Sequence, residues 1–331
     1  MKRAILMTTL VILGTAGSSP WTRTTGAETN TVLRPGTSLA TVSALDQHGQ
    51  PRALRSVVGT HGALVTFLRS ADWCPSCKVQ LVQLEAVRDR LAERGYGLAA
   101  LTIDEPPVLR QFGQERRINF PLLSGRRVIS ELGLEDSRFD QDPQRRGAPH
   151  PAVYLLDEKL EVVRAFPEGD RHTVGSMLAH IGVRGDAPAR EAETRHLTVR
   201  AWSSDSSVPF NRRFAVVVDV APKPEMHVYA PGNASYKQVR LILTPAPGLD
   251  IQPLQFPKAG IYTYKPLNEQ VKVYSGPFRL VQEVMIRRTP GAPAVEPQTV
   301  TLRGELEYQA CDDIICYPVT RLPLSWSLRI E

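Results

Sequence analysis

The four cysteines of this 331-residue chain form two close pairs, Cys74/Cys77 and Cys311/Cys316. Pairs at such spacings can be structural disulfides, halves of a metal site or dithiols that exchange electrons. A disulfide that closes so short a loop restricts the unfolded chain little, which counts against a purely structural role. A zinc site would need both pairs together, from two distant parts of the sequence. Redox chemistry is therefore the favoured interpretation, with the other two still open.

The elements around the first pair are a predicted strand and a predicted helix. Residues 62–70, GALVTFLRS, form an apolar run of strand length that ends just before the pair. After the pair, leucines and valines recur at helical spacing until Gly95, which is a typical helix-ending residue. The first pair is thus predicted at the junction between a buried strand and an amphipathic helix.

This position favours a reactive thiol in the stretch WCPSCK, which begins at Trp73. Cys74 would lie at the helix N-terminus, where free N–H groups and the helix dipole favour an anion. Pro75 suits the first helical turn, and Lys78 adds positive charge one turn later. Because these conditions lower the pKa of a thiol, Cys74 is predicted to attack a substrate disulfide. Cys77 would then resolve the mixed disulfide.

The hydrophobic pattern divides the chain into two segments. Between residues 32 and 183, strand-like and helix-like runs alternate, which predicts an α/β layer structure with a partly parallel sheet. Residues 184–194 are polar and are predicted to be a linker. Residues 195–331 contain short strand-like runs broken by Pro, Gly and Asn, which predicts an all-β sandwich.

The first 27 residues have the build of a secretory signal peptide. Lys2 and Arg3 precede an apolar stretch that is too short for a stable transmembrane helix, and small residues follow it. An uncleaved signal anchor is the alternative. An extracytoplasmic protein, periplasmic or secreted, is therefore predicted, with no stable membrane insertion after cleavage.

Composition and residue spacing count against several other classes of function. The formal charge of +6 comes mostly from scattered arginines, and no basic run is interleaved with aromatic residues. Nucleic-acid binding is therefore not expected. The histidines do not cluster at ligand spacing, and no glycine-rich phosphate loop is evident. No metal or cofactor is expected.

The stretch ALVTFLRSADWCPSCKVQLVQLE, residues 63–85, resembles the thioredoxin superfamily. The similarity is to its redoxin branch, which includes the alkyl hydroperoxide reductase/thiol-specific antioxidant proteins, and it covers about residues 32–183. This resemblance implies a thioredoxin-like fold. It extends to GAPHPAVYLLD, residues 147–157, and maps the family's cis-proline onto Pro151.

Two departures from the family pattern bear on activity. Peroxiredoxins carry Thr or Ser three residues before the reactive cysteine, where this chain has Ala71, with Ser70 one place earlier. This difference counts against peroxidase chemistry and favours dithiol exchange. The buried acidic residue of thioredoxins falls on Leu68 here, so a proton for Cys77 must come from elsewhere or from water.

The second pair lies between two strand-like runs, in YQACDDIICYP, residues 308–318. The pair is predicted to close a tight loop, as a structural disulfide or a redox centre. Together with MHVYAPGNASYKQVRLIL, residues 226–243, the stretch resembles the N-terminal periplasmic domain of DsbD-type thiol:disulfide interchange proteins. That resemblance implies an immunoglobulin-like sandwich.

The same resemblance implies roles for individual residues. Cys311 and Cys316 correspond to the family's redox-active pair, and Tyr229 corresponds to an aromatic residue beside it. The family's cap loop would fall within residues 262–270, with Leu267 where the family has an aromatic side chain.

The sequence therefore predicts an extracytoplasmic thiol:disulfide oxidoreductase with two redox centres. Its domains are expected to exchange electrons with each other and with protein thiols or disulfides, and a membrane electron donor is a candidate partner. Two alternatives remain. One is a thiol peroxidase that uses Cys74. The other is a single-centre redoxin whose sandwich binds a partner and keeps a structural disulfide.

Overall fold

The computed structural model describes residues 32–185, 187–233, 236–264, 269–288 and 296–331. The predicted signal peptide and Leu267 of the predicted cap loop lie outside these ranges. No helix in the described ranges is long and apolar enough to cross a membrane. Following the predicted boundaries, we call residues 32–183 the N-terminal domain and residues 195–331 the C-terminal domain.

The N-terminal domain has a central sheet with helices packed against it, which confirms the predicted α/β class. Its strands are β1 (Ser43–Asp46), β2 (Pro51–Ala53), β3 (Gly62–Phe67), β4 (Tyr96–Thr102), β5 (Leu122–Ser124), β6 (Ala152–Leu156) and β7 (Val162–Pro167). Its helices are α1 (Pro75–Glu85), α2 (Arg88–Glu93), α3 (Pro106–Arg116), α4 (Arg126–Glu131) and α5 (Val174–Ala179). The strand order is β2-β1-β5-β4-β3-β6-β7, with β3, β4 and β5 parallel.

The strand before the first cysteine pair is central and fully buried. Leu64 of β3 packs in the core that α1 covers, whereas Val65 and Phe67 pack in the core on the opposite face of the sheet. This alternation explains why the run is apolar throughout, since both faces of a central strand are covered. The carboxyl end of β3 is thereby fixed where α1 begins.

The single helix predicted after the first pair is two helices, α1 and α2. The break falls at Val87, whose N–H bonds to the carbonyl of Leu84 rather than to the residue four earlier. Leu84, Val87 and Leu91 still pack in one core, which is why their spacing is helical across the break. Gly95 ends the second helix with a φ of 73°, as its residue type predicts.

The C-terminal domain is strand-rich, which confirms the predicted sandwich. Two sheets, of order β14-β17-β11-β9-β8 and β10-β20-β18-β13, share one core, and a smaller sheet of order β15-β16-β12-β19 carries Cys311. The sheets of this domain include one strand that precedes residue 195, β8 (Arg190–Glu193). The other strands are β9 (Leu197–Ser203), β10 (Ser207–Val208), β11 (Arg213–Pro222), β12 (His227–Tyr229), β13 (Arg240–Leu243), β14 (Leu249–Ile251), β15 (Gly260–Tyr264), β16 (Glu269–Tyr274), β17 (Phe278–Ile286), β18 (Gln298–Tyr308), β19 (Ala310–Cys311) and β20 (Thr320–Ile330).

The second half of the predicted linker is a strand. β8 pairs antiparallel with β9, and Glu191 forms an ion pair with Arg200 at 2.6 Å. The segment is an edge strand with exposed charged side chains, and such a composition is easily mistaken for a linker. The connection between the domains is therefore shorter than predicted.

The two domains are docked by an apolar contact and by backbone hydrogen bonds. Ala179 of α5 packs with Trp202 and Val217 of the five-stranded sheet. The Thr173 N–H donates to the Arg213 carbonyl at 2.8 Å, and the Arg213 N–H donates to the Arg171 carbonyl at 2.9 Å. These bonds extend main-chain pairing across the domain boundary, so they fix which residues of the two domains lie opposite each other.

A buried carboxylate, Glu283 on β17, accepts contacts from both domains. Its oxygens lie 2.8 Å from His180 Nε2, 3.3 Å from Arg164 and 3.7 Å from Arg213. His172 Nδ1 lies 3.5 Å from the same carboxylate. Desolvation lowers the pKa of His172 to about 4 and also lowers that of His180, although Glu283 acts to raise both. Burial acts to raise the pKa of Glu283, but its hydrogen bond to His180 and the neighbouring positive charges lower it.

This cluster predicts a stability that falls in mild acid. Both histidines have folded-state pKa values below the ordinary 6.5, so the unfolded chain takes up protons first as the pH drops. The free energy of unfolding is expected to fall by more than about 1 kcal/mol between about pH 7.5 and about pH 5. Urea titrations at the two pH values measure it. The His180→Gln variant, which keeps a donor but cannot titrate, should show a weaker dependence, and equal dependence in both proteins would contradict the prediction.

Candidate active sites at the two cysteine pairs

The first pair is a disulfide at the start of α1. The Cα atoms of Cys74 and Cys77 are 5.3 Å apart. Cys74 is the N-cap residue, and its sulfur accepts a hydrogen bond from the Cys77 N–H at 3.3 Å. Pro75 occupies the first turn, where its missing N–H costs little. The helix start therefore holds the Cys74 sulfur where a thiolate is stabilised.

A buried carboxylate, Asp104, fixes the loop before this disulfide. It accepts hydrogen bonds from the Ser70 hydroxyl at 2.7 Å and from the Ala71 N–H at 2.6 Å. The Ser70 hydroxyl in turn accepts bonds from the N–H groups of Asp72 and Trp73. The Ser70 hydroxyl and the Ala71 N–H are thus both used in hydrogen bonds that fix the conformation of the loop.

The sequence reasoning missed Asp104, although a signal for it existed. Asp104 lies just after β4, which runs parallel to β3, and the carboxyl ends of parallel neighbours meet at one sheet edge. A carboxylate in that position is therefore adjacent to whatever follows β3. Here it is adjacent to the loop that carries the dithiol.

Glu168 reaches the first disulfide indirectly, through the side chain of Ser76. Its carboxylate lies 2.6 Å from Arg69 and accepts a 3.4 Å hydrogen bond from the Ser76 hydroxyl. That hydroxyl lies 3.5 Å from the sulfur of Cys74. Cys74 is only 3% exposed, so we expect a partner to displace the Ser76–Glu168 contact, which acts as a cover, in order to reach the sulfur. Because the ion pair of Glu168 is partly exposed, opening it costs little, on the order of 1 kcal/mol or less.

Replacing Glu168 with glutamine is expected to speed reduction of the first disulfide by roughly fivefold. The change removes the ion pair with Arg69 and a negative charge that repels an approaching thiolate. The rate of reduction by dithiothreitol, followed by thiol release at Cys74 and Cys77, measures it. Glu131→Gln, which breaks an exposed ion pair with Arg127 on α4, is the matched control and should leave the rate unchanged. An unchanged or slower rate in the Glu168 variant would contradict the role of a cover.

Trp73 and Lys78 flank the first pair. The Trp73 ring lies 5.6 Å from that of Phe139, and the guanidinium of Arg145 lies 4.9 Å above it. Lys78 is half-buried in the first turn of α1, and its N–H bonds to the carbonyl of Cys74. An aromatic ring covered by an arginine thus precedes the disulfide, and Lys78 follows it in the first turn of α1.

The cis bond predicted at Pro151 is wrong, because the described residues contain no cis peptide bond. The chain passes through this point extended: the His150 N–H bonds to the Leu134 carbonyl, and the Pro151 carbonyl accepts from the Glu168 N–H at 2.9 Å. These bonds satisfy the backbone with the trans isomer, which is the ordinary state of an X–Pro bond. Pro151 nevertheless lies beside the dithiol helix.

A groove of ≈ 400 Å³ runs alongside the first pair, between the two domains. The α1 residues Pro75, Ser76 and Val79 form one wall. Pro209 and Arg212 of the C-terminal domain also line it. The surface beside the dithiol is therefore built by both domains.

The second pair is a disulfide that closes a tight loop after β19. The Cα atoms of Cys311 and Cys316 are 4.1 Å apart, and Cys311 lies opposite His227 in the β12–β19 ladder. Cys311 is 1% exposed, whereas Cys316 is exposed to solvent. An attacking thiolate can therefore reach the sulfur of Cys316 first, and Cys311 would be the leaving group.

Aromatic side chains line this second disulfide. The Tyr229 hydroxyl lies 3.6 Å from the sulfur of Cys316, and the Tyr229 ring stacks on that of Tyr236 at 4.3 Å. The Tyr262 hydroxyl donates to Asp313 at 2.7 Å. Tyr229 thus lies where the sequence analysis expected an aromatic residue.

Asp312 organises the loop between the two cysteines. Its carboxylate accepts hydrogen bonds from the N–H groups of Ile314 and Ile315, and these bonds lower its pKa. The Tyr317 hydroxyl also donates to Asp312 at 2.9 Å, which raises the pKa of Tyr317. A stable negative charge therefore lies beside the second pair.

His227 is a buried group that the sequence analysis did not single out. Its ring lies 4.7 Å from that of Tyr262, and its Nε2 has no hydrogen-bond partner among the described residues. Burial lowers the pKa of His227, although Asp313 and Asp312 act to raise it. An imidazole whose pKa is lowered by burial thus lies opposite Cys311 in the sheet.

The two disulfides lie toward opposite ends of strand β11, one in each domain. Strand β11 begins at Arg213, which bonds to the N-terminal domain, and ends at Pro222, which pairs with Leu197. The ring of the adjoining His196 lies 4.4 Å from Tyr317, the neighbour of Cys316. Because β11 has ten residues, its two ends are on the order of 30 Å apart, and the pairs lie beyond opposite ends of the strand. A zinc site shared by both pairs is incompatible with this separation.

Comparisons with known proteins agree with the two-part architecture. The sequence model of the AhpC/TSA family matches residues 35–165. The model described as thiol:disulfide interchange protein DsbD, N-terminal, matches residues 199–322. Residues 35–165 are an AhpC/TSA redoxin domain, and residues 199–322 are a DsbD N-terminal domain. The redoxin and DsbD-type domains, each with a disulfide-bonded cysteine pair, make this chain a thiol-disulfide oxidoreductase.

Among curated proteins, none matches the chain. Several solved structures are similar to the redoxin part. The peroxidoxin BcpB from Mycobacterium tuberculosis is 20% identical over 42% of this chain and 88% of that one, with a TM-score of 0.37. Peroxiredoxin Q from Xanthomonas campestris is 18% identical over 41% and 86%, with a TM-score of 0.35. A thiol peroxidase from Chromobacterium violaceum is 25% identical over 41% and 76%, with a TM-score of 0.34.

Proposed function

We propose that the chain is an extracytoplasmic thiol:disulfide oxidoreductase that exchanges electrons with protein thiols and disulfides through both cysteine pairs. One observation carries the proposal: a hydrogen-bond donor lies against one sulfur of each disulfide. The Cys77 N–H lies 3.3 Å from the Cys74 sulfur, and the Tyr229 hydroxyl lies 3.6 Å from the Cys316 sulfur. Such a donor stabilises the thiolate that attacks or leaves in the exchange reaction.

The roles at the first pair follow from its position at a helix start. Cys74 attacks the partner, Cys77 resolves the mixed disulfide, and the charge of Lys78 favours the thiolate. Trp73 precedes Cys74 and Pro151 lines the groove beside α1, and both would contact the partner. At the second pair, Cys316 accepts the attack and Cys311 leaves.

The location outside the cytoplasm rests on the signal-like segment 1–27, which would be removed on export. A membrane protein that supplies electrons to either pair is part of this proposal. Detection of the mature chain in an extracytoplasmic fraction, with a new N-terminus near residue 27, tests the export step.

The reduction potential of each pair tests the central claim. The potentials are measured by glutathione equilibration in two full-length variants, Cys311→Ser/Cys316→Ser and Cys74→Ser/Cys77→Ser. Both are expected between roughly −120 and −270 mV, the range of exchange proteins. If the second pair stays oxidised below about −300 mV, it is structural, and the chain is a single-centre redoxin with a partner-binding sandwich.

The match to the AhpC/TSA family supports a second candidate, a thiol peroxidase that uses Cys74. The bonding of the preceding loop counts against it. The hydroxyl of Ser70 and the N–H of Ala71 both donate hydrogen bonds to Asp104, so neither is available to orient a peroxide. The Cys77→Ser variant, which keeps Cys74 as a free thiol, is expected to consume hydrogen peroxide no faster than a simple thiol. Rapid consumption would favour the peroxidase.

A further inference from the structure

We propose that electrons pass between the two cysteine pairs of different copies of this chain, by docking of the 311–316 loop of one copy into the groove beside Cys74 of another. The inference rests on the function proposed above and names a partner for both pairs. It replaces the exchange between domains of one chain that the sequence analysis predicts.

The docked domains keep the two pairs of one chain apart. The pairs lie toward opposite ends of β11, and those ends are on the order of 30 Å apart. Bringing them together would break the backbone bonds among Thr173, Arg213 and Arg171. It would also separate Glu283 from the buried His180. Contact between copies requires none of these changes.

The 311–316 loop has the features of an inserting element. Ile314 is 91% exposed and Ile315 is 53% exposed, although both are large apolar side chains. They lie between an exposed cysteine, Cys316, and two carboxylates, Asp312 and Asp313. The loop therefore offers an apolar tip, negative charge and a reactive sulfur together.

The groove beside Cys74 is complementary to that loop. Its apolar lining includes Phe166, Met177 and Val79, the last of which is 58% exposed. Its cationic lining consists of the side chains of Arg171 and Arg212. The carboxylate that lines the groove, Glu168, is paired with Arg69. An apolar, acidic loop thus matches an apolar, cationic groove.

The exchange balances without any further reagent once one pair is reduced. The Cys74 thiolate attacks the Cys316 sulfur, the Cys311–Cys316 bond breaks, and Cys311 leaves as a thiolate. The Cys77 thiolate then attacks Cys74 and releases Cys316. The redoxin pair is oxidised, the other pair is reduced, and two electrons have moved between copies.

The contact joins two different patches, so it is heterologous. A small redox contact of this kind is expected to be weak and transient, below about 1,200 Å² of buried surface. The relevant measurement is therefore the rate of transfer rather than a stable oligomer.

The test uses the full chain with Cys77→Ser and Cys311→Ser, which leaves Cys74 and Cys316. The reduced chain is treated with one equivalent of a chromogenic aromatic disulfide. In the first step, one protein thiol forms a mixed disulfide with the reagent and releases one aromatic thiolate. In the second step, the other protein thiol attacks that mixed disulfide, joins the two cysteines and releases a second aromatic thiolate. We expect covalent dimers and larger species on non-reducing gels. The half-time of the second release should shorten twofold when the protein concentration is doubled. A monomer with an internal cross-link and a concentration-independent half-time would overturn the proposal.

Surface variants in the same background test the docking itself. Ile314→Ser is expected to slow the second release about tenfold, since it removes the burial of one large apolar side chain. Arg171→Glu should slow it as well, and Arg171→Glu with Asp313→Lys should restore part of the rate. Leu45→Ser, at an exposed apolar residue of β1, is the control and should change nothing. The first release, which reports simple thiol reactivity, should be the same in all of them. Equal second-release rates in all variants would also overturn the proposal.

Failure of this inference differs from failure of the proposed function. If both pairs equilibrate with glutathione but no cross-link joins Cys74 to Cys316 between chains, the inference is wrong and the oxidoreductase stands. If the second pair does not equilibrate with glutathione, the proposed two-centre function fails, and exchange between copies fails with it.

Discussion

Replacing Cys74 with serine is expected to abolish disulfide reduction by the redoxin domain, with turnover falling at least about a thousandfold. A serine hydroxyl at the start of α1 cannot act as the thiolate that attacks a disulfide. Turnover of a protein disulfide substrate with dithiothreitol as the reductant measures the effect.

The matched variant is Cys77→Ser, which keeps the attacking thiol but removes the resolving one. It should form one mixed disulfide with the substrate and then stop, so a covalent complex is expected on a non-reducing gel. Cys74→Ser should form no such complex. If Cys74→Ser kept appreciable turnover, the nucleophile would be Cys77, and the roles inferred from the N-cap position would be reversed.

Replacing Glu283 with alanine is expected to lower the free energy of unfolding by about 3–5 kcal/mol. The change leaves Arg164 and Arg213 without the carboxylate that neutralises them, and it removes the hydrogen-bond partner of His180. Urea unfolding at neutral pH measures the loss.

Glu191→Ala is the control for that experiment, because it removes a carboxylate from an exposed ion pair with Arg200. Its effect should stay within about 0.5 kcal/mol. The loss in free energy of unfolding for Glu283→Gln should lie between those of Glu283→Ala and Glu191→Ala, since an amide keeps the hydrogen bond to His180 but not the charge. A loss below about 1 kcal/mol for Glu283→Ala would mean that the cluster contributes little to domain docking.

Local pattern was sufficient to predict much of the fold. The apolar run at 62–70, the helical spacing after it and Gly95 predicted β3, the helical region and its end. These features are visible because each depends on neighbours in the sequence. The break at Val87 was not visible, because the residues on both sides pack in one core and keep the helical spacing.

Features that depend on tertiary contacts could not be predicted in the same way. Nothing in the sequence links His172 and His180 to Glu283, which is more than a hundred residues away. The exposed, charged side chains of β8 match the composition of a linker, so its pairing as an edge strand is not visible in the sequence. The cis bond at Pro151 was transferred from a family pattern, and the backbone bonds around that residue are satisfied by the trans isomer.

At the candidate sites, residue types were easier to predict than their surroundings. The helix start at Cys74 and the aromatic residue near Cys316 were expected from the motifs. Asp104 and Glu168 were not, because both reach the first disulfide from elements that are distant in the sequence. The separation of the two pairs also required the structure, since it is set by the length and direction of β11.

The packing of α5 on the five-stranded sheet has a practical consequence for dissecting the protein. A fragment that ends within residues 184–194 would expose Ala179 and His180 to solvent. The complementary fragment would expose Trp202 and Glu283. Each fragment would then display apolar surface and charged groups that the whole chain buries, which favours aggregation. Separately produced halves would be poor substitutes for the intact protein. Point variants of the full chain are the sounder way to assign activity to either half.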